Sequence, residues 1–266
     1  MNESLSLFTT TYERDFDLLA RLLTSIEEHL GTKYLHYIVL NDDPKHLPEL
    51  EKILEKYPMQ FEVILREQFA DFSLPLVENS PYGYRFTSPT DGWSTQIMIT
   101  VLVSSLIKTP YYLHLCSKDV INKSLDIDKL ILNKKTIAFR ENFDHGVNTD
   151  QFIEFAVNAC KFFNLNFEEC KQSFIRPATP AVVNTQYMKN VLAYIAEQNT
   201  SVVDLIGLNQ DLTRVWKPCQ NKTIEYYLYS AWLILNNLID DNIIWYNTTN
   251  EFPCNISRSY NLRRTN

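Results

Sequence analysis

W-S-T-Q-I-M-I-T-V-L-V-S-S-L-I-K-T-P-Y-Y-L-H-L-C-S-K-D-V-I-N, residues Trp93 to Asn122, is the stretch whose reading decides the fold. It begins as a nearly all-apolar helix pattern, breaks at Lys108-Thr109-Pro110, and continues as the short apolar run Tyr111 to Leu115. That run stops at the polar cluster Cys116-Ser117-Lys118-Asp119. A buried helix feeding a buried strand that ends in polar groups is how an open α/β sheet builds a ligand site, because ligands lie outside the carboxyl ends of parallel strands. These four residues therefore frame the functional question.

Upstream, Ser4 to Thr9 reads as a first strand. Asp15 to Leu30 carries Phe16, Leu19, Leu22, Leu23, Ile26 and Leu30 at helical spacing, ended by Gly31. Tyr34 to Leu40 is a second strand running into the turn Asn41-Asp42-Asp43-Pro44. Pro48 to Lys56 is a short helix and Gln60 to Leu65 a third strand. The opening is β-α-β-α-β, which predicts a mainly parallel, Rossmann-like sheet flanked by helices. Gln68 to Gly92 breaks the pattern with three prolines, two glycines and interleaved Tyr82, Tyr84 and Phe86. Loops of that length are functional, disordered, or pinned to the core by their rings.

Downstream, Lys135 to Arg140 reads as a strand, and Asn148 to Asn164 and Phe167 to Ser173 as helices. Thr179 to Asn184 is a short strand, and Thr185 caps a helix to about Glu197. Thr223 to Leu238 is an aromatic helix and Asn242 to Tyr246 a final strand. We see no repeat, low-complexity segment or linker. The expectation is one domain over 1–266: a nucleotide-binding half (1–122), then a more helical acceptor-side half with a tail (123–266).

A chain of 266 residues with 45% apolar and 21% charged residues is that of a globular protein. The net charge of −7 argues against a general nucleic-acid binder, which needs clustered Lys and Arg. No apolar run reaches the roughly 18 residues of a membrane span, and Met1-Asn-Glu-Ser lacks the flank of a signal peptide. Cysteines at 116, 160, 170, 219 and 254 are odd in number, without C-x-x-C spacing, as in reduced thiols. Together these predict a cytoplasmic location. There is no P-loop, G-x-G-x-x-G, H-E-x-x-H or G-x-S-x-G, and five glycines leave little for a phosphate-cradling loop.

Three constellations can carry chemistry. Asp42 and Asp43, after the second strand, can bind a ribose hydroxyl or a base N–H, with Thr10, Thr11 and Tyr12 presented by the neighbouring loop; the plain alternative is a polar turn that caps the next helix. Lys118 and Asp119 can meet an anion, Asp119 through a hydrated Mg²⁺ or Mn²⁺ or Lys118 by its own charge, and the residues leave both open. Glu225 opens the aromatic helix. A first-turn acid is favoured by the helix dipole, yet among Tyr226, Tyr227, Tyr229 and Trp232 it would be desolvated, its pKa raised toward that of a general base. Lesser candidates are Arg140, His145 and the turn Arg176-Pro-Ala-Thr179-Pro180, and Asp126-Ile-Asp128 reads as a helix start or polar turn. Arg258, Arg263 and Arg264, without an acid in the last ten residues, leave room for one anionic ligand.

The N-terminal F-T-T-T-Tyr12, Tyr37-Ile-Val-Leu-Asn-Asp42-Asp43, Gly92-Trp93-x-x-Gln96, the Lys118-Asp119 cluster, Thr179-Pro180 and Thr223-x-Glu225-Tyr226-x-Leu228-Tyr229 follow one another over about 220 residues. In that order they resemble a poorly characterised group of GT-A-like glycosyltransferases found in bacterial capsule and polysaccharide loci and in large viruses. The resemblance implies a nucleotide-sugar donor, UDP- or GDP-linked, and a hydroxyl of a glycan or lipid-linked acceptor. It implies donor binding by Thr10, Tyr12, Asp42, Asp43, Gln96, Lys118, Asp119, Arg258 and Arg263, acceptor binding by Thr179, Tyr226 and His145, and Glu225 as the base an inverting transfer needs. Any Mn²⁺ or Mg²⁺ would sit at Asp119. The group carries an acid where this chain has Cys116 and a basic residue where it has Thr100; the first departure bears on metal binding, the second on donor or acceptor. The alternative class is a non-catalytic nucleotide- or sugar-binding protein derived from the same fold. A nucleotidyltransferase is disfavoured, since the glycine-rich, lysine-containing loop it needs after the first strand is missing.

Overall fold

The computed structural model describes residues 4–69, 76–77, 85–86, 92–143, 149–206, 222–246 and 256–258. The first part alternates as β1 (Leu5–Thr11), α1 (Phe16–His29), β2 (Leu35–Leu40), α2 (Leu47–Leu54) and β3 (Gln60–Leu65). Then come the short β4 (Leu76–Val77) and β5 (Arg85–Phe86), α3 (Gly92–Leu102), β6 (Tyr111–His114), β7 (Asp119–Ile121), β8 (Ile131–Leu132) and β9 (Lys135–Phe139). The second half runs α4 (Thr149–Phe162), α5 (Phe167–Cys170), β10 (Ala181–Asn184), α6 (Thr185–Glu197) and α7 (Val202–Ile206). It ends with α8 (Glu225–Leu235), α9 (Ile239–Asn242), β11 (Ile243–Tyr246) and β12 (Ile256–Arg258).

The central sheet has the order β10-β6-β1-β2-β3, with all neighbours parallel except β10, which runs antiparallel to β6. From β1 the chain builds outward through β2 and β3, then returns to lay β6 on the other side of β1. The strand order thus reverses between β1 and β6, the kind of crevice where open α/β sheets bind ligands.

Strand residues alternate between two apolar layers, as a doubly covered sheet requires. Leu5, Leu7, Ile38, Leu40, Leu113 and Val182 pack with α1 and α2, while Phe8, Tyr37, Val39, Tyr112 and Val183 pack with α3, α4, α6 and α8. The first layer follows from the stripe of α1, whose Leu19, Leu22, Leu23 and Ile26 are fully buried. Gly31 ends that helix at φ +84°, a backbone region glycine enters without strain. Helix α8 is apolar nearly all round, and Glu225 through Leu233 are all buried, the expected fate of a helix without a polar face.

Several expectations shift. The helix placed at Thr223–Leu238 is shorter and is followed by the separate α9. The cap of α6 is Asn184, which accepts from the Tyr187 N–H at 3.2 Å, not Thr185. Helix α7 and strands β7, β8 and β12 had no sequence signal, being too short for a period to register. A second sheet, β11-β9-β8, and the pair β12-β7 stand beside the main one. Most of the Gln68–Gly92 loop lies outside the described residues. Asp126 caps the 3-10 turn Ile127–Lys129 by accepting from the Asp128 N–H, the plain reading of that D-x-D.

Candidate active site

Strand β6 ends at His114 on the switch-point side of β1. Its antiparallel neighbour β10 begins there, with Ala181 opposite His114. The turn before β10 is thereby delivered to the ligand-side edge of the sheet. Helix α8 starts against the same place: the His114 Nδ1 and Tyr226 hydroxyl lie 2.6 Å apart. The His114 ring packs on Phe8 of β1 at 4.8 Å between centroids.

These three chain segments and α3 enclose a cavity of about 210 Å³. Gln96, Lys118, Thr179, Glu225 and Tyr226 all line it, together with Ile97, His114, Cys116, Pro177 and Ala178. Five residues singled out from distant parts of the sequence therefore meet at one place. Ile97, His114, Cys116, Pro177 and Ala178 complete the lining among the described residues; for His114 the usable signal was a polar residue inside the apolar run Tyr111–Leu115, one position before its end.

Glu225 is only 8% exposed, and its Oε2 has no hydrogen-bond partner among the described residues. Burial raises its pKa to about 8, opposed in part by a hydrogen bond from its own backbone N–H. A carboxyl group so placed gains and loses its proton near pH 8 rather than near 4.5, in the range that general acid–base catalysis uses.

A second cluster forms at the ends of β1 and β2. The Asn41 side-chain amide donates to the Tyr12 hydroxyl at 3.0 Å. Asp42 accepts from the N–H groups of Glu13 (3.1 Å) and Asp43 (2.9 Å), tying the two loops together. Asp43 accepts from the Lys45 N–H at 2.9 Å and so caps the short 3-10 helix at Pro44–His46. Thr10 is buried within β1 and does not line the cavity. Buried Arg66, at the end of β3, pairs with Glu67 at 3.1 Å; its pKa is lowered by burial, with the charges of Glu67, Asp42 and Tyr12 opposing. Sequence reasoning passed over this arginine, which stands in no motif.

Asp15 joins the clusters. Three residues past Tyr12 and almost fully buried, its Oδ2 lies 3.8 Å from Lys118 Nζ. The loop after β1 is thus bound electrostatically to the loop after β6. Asp119, by contrast, is fully buried, outside the cavity lining, and accepts from the Cys116 N–H at 2.8 Å. Strand β12 pairs with β7 so that Arg258 stands opposite Asp119, which brings the backbone of the C-terminal segment to this edge. His145 and Arg263 lie outside the described residues. Thr100 is fully buried, its hydroxyl donating to the Gln96 carbonyl at 2.9 Å. No helix among the described residues is long and apolar enough to cross a membrane.

The chain belongs to a family of unknown function (DUF6492), whose model matches residues 4–257. No protein of curated function matches it. Among solved structures it is similar to core-mannan synthase A (CmsA) from Aspergillus fumigatus in its Mn/GDP form. The TM-score is 0.59 at 10% identity, over 96% of this chain and 74% of that one. It is also similar to the bifunctional glycosyltransferase WbbM (TM-score 0.46, 11% identity, 92% of this chain). Mouse xyloside xylosyltransferase 1 is a further likeness (TM-score 0.42, 8% identity, 92% of this chain and 85% of that one). The chain spans 39% of the length of the bifunctional enzyme. The fold is that of GT-A glycosyltransferases: a mainly parallel sheet flanked by helices.

Proposed function

We propose that the chain transfers a sugar from a nucleoside-diphosphate donor, UDP- or GDP-linked, to a hydroxyl of a glycan or lipid-linked acceptor. The observation that carries the reading is the buried, pKa-raised Glu225 in one cavity with Lys118, Gln96 and Thr179, at the point where strand order reverses. The similarity to a glycosyltransferase solved with GDP supports the nucleotide part.

In this reading Tyr12, Asp42 and Asp43 border the nucleoside, Lys118 faces the diphosphate, and Arg258 and Arg263 add positive charge for donor binding. Thr179 and Tyr226 border the acceptor. The acceptor hydroxyl oxygen bonds to the anomeric carbon while the bond from that carbon to the phosphate oxygen breaks. The electron pair leaves with the diphosphate, and the hydroxyl proton passes to Glu225. Holding two polar reactants in line and stabilising the departing charge are positioning and electrostatic tasks, which this lining of fixed groups suits. Synthesis of a polysaccharide or other glycan is the expected setting.

Glu225→Gln tests the role of the base. Nucleotide affinity should stay within about threefold while turnover falls about 10²- to 10⁴-fold, the usual worth of a general base. Unchanged turnover refutes it. Cys116 in place of an acid favours a second reading, a non-catalytic binder; stabilisation by UDP, GDP or CMP in a thermal-shift screen without any donor hydrolysis or transfer would select it.

A further inference from the structure

We propose that the anionic end of the donor is met at the end of β6 by the Lys118 ammonium directly, with no divalent cation between protein and phosphate; this rests on the nucleotide-sugar reading above. A Mg²⁺ or Mn²⁺ bridging a diphosphate is held by hard oxygen ligands, commonly one or two carboxylates facing the phosphates. The residues at this strand end do not fit that need. Cys116 lines the cavity with a soft sulfur, suited to other metals. Asp119 is the one carboxylate of the cluster, and it is turned inward. Its Oδ2 accepts from the Cys116 N–H at 2.8 Å while its own N–H donates to the Cys116 carbonyl at 2.9 Å. Swinging that carboxylate toward the cavity would open the turn that presents Cys116 and Lys118.

Another acid close by, Asp15, faces Lys118 itself. Among the described residues that line the cavity the only carboxylate is Glu225. Among the described residues no group of three His, Cys, Asp or Glu side chains could hold a metal ion.

Lys118 fits the alternative. Its side chain is one-third exposed and lines the cavity, and its Nζ lies 3.8 Å from Asp15. That spacing orients the ammonium without a hydrogen bond, so that among the described residues none takes up its N–H donors. A cation fixed where negative charge develops on the leaving group does the electrostatic work that a metal does elsewhere. Asp15 is then a positioning residue, acting through Lys118.

The test is calorimetric titration of UDP and GDP into the full chain, in EDTA and again in Mn²⁺ or Mg²⁺. The proposal expects dissociation constants that agree within about threefold between the two conditions and that weaken with added salt. Lys118→Ala should weaken binding about tenfold or more, and Lys118→Arg, which keeps the charge, should retain most of it. Binding that requires Mn²⁺ or Mg²⁺ and vanishes in EDTA overturns the proposal and leaves the nucleotide reading standing, as does unchanged binding in a folded Lys118→Ala protein. Absence of binding by either nucleotide under both conditions overturns that reading, and the proposal with it.

Discussion

Replacing Glu225 with glutamine should make the protein more stable and less active at once, and the stability gain should grow with pH. The side chain is buried at the start of α8, and burial lifts its pKa from 4.5 to about 8. Because the folded value lies above the unfolded one, the favourable contribution is fully present below pH 4.5 and is lost as the pH climbs through 8. Each tenfold fall in proton concentration within that window costs about 1.4 kcal/mol, so the cost is about 2 kcal/mol at pH 6 and about 4 kcal/mol at pH 8. Glutamine has the same shape and no charge to desolvate. The Tm of Glu225→Gln should therefore pull ahead of the native protein by about 4–8 °C more at pH 8 than at pH 6, for a chain of this size. Differential scanning calorimetry in two buffers measures it. In the native protein, kcat/KM should rise with pH toward a plateau above about 8, as only the ionised form accepts a proton. A Tm difference that stays constant between the two buffers means Glu225 ionises like an exposed carboxylate, and the argument for a tuned base fails.

Other outcomes are open to simple assays. Cys116 lines the cavity, whereas Cys160 and Cys170 are buried with their sulfurs 3.5 Å apart. Mass spectrometry after brief alkylation should find Cys116 modified well before those two, and UDP or GDP should protect it; labelling indifferent to both nucleotides contradicts the placement of the donor. Tyr226→Phe removes the hydroxyl that lies 2.6 Å from His114 Nδ1, deep in the protein. It should cost about 1–3 kcal/mol of stability in chemical denaturation, the range for breaking a buried polar pair, and a loss under a few tenths would show that the pair carries nothing.

The half of the fold that was legible came from apolar stretches bounded by polar breaks. The helical stripe of α1, the short apolar runs of β1 to β3 and the long apolar stretch of α3 and β6 each stand out in that way, so these elements and the parallel sheet followed. The site was legible where a polar residue interrupts such a run, as at Lys118, or where an acid opens an apolar helix, as at Glu225. What pairs at long range stayed hidden. The antiparallel return of β10 is what carries Thr179 to the cavity, and nothing in its four residues announces a direction. Asp15 looked like the first residue of a helix, and its link to Lys118 spans more than a hundred residues. Asp119 was expected to face a ligand, yet its carboxylate closes the turn with Cys116.

The account stands most directly on where a nucleoside diphosphate binds. A crystal structure of the chain with UDP or GDP should place the diphosphate within hydrogen-bond reach of Lys118 Nζ, with the nucleoside toward Tyr12 and Asp42 and the cavity beside Glu225 open for the sugar. A nucleotide seated on any other edge of the sheet, or one that leaves Glu225 remote from the anomeric position, contradicts it.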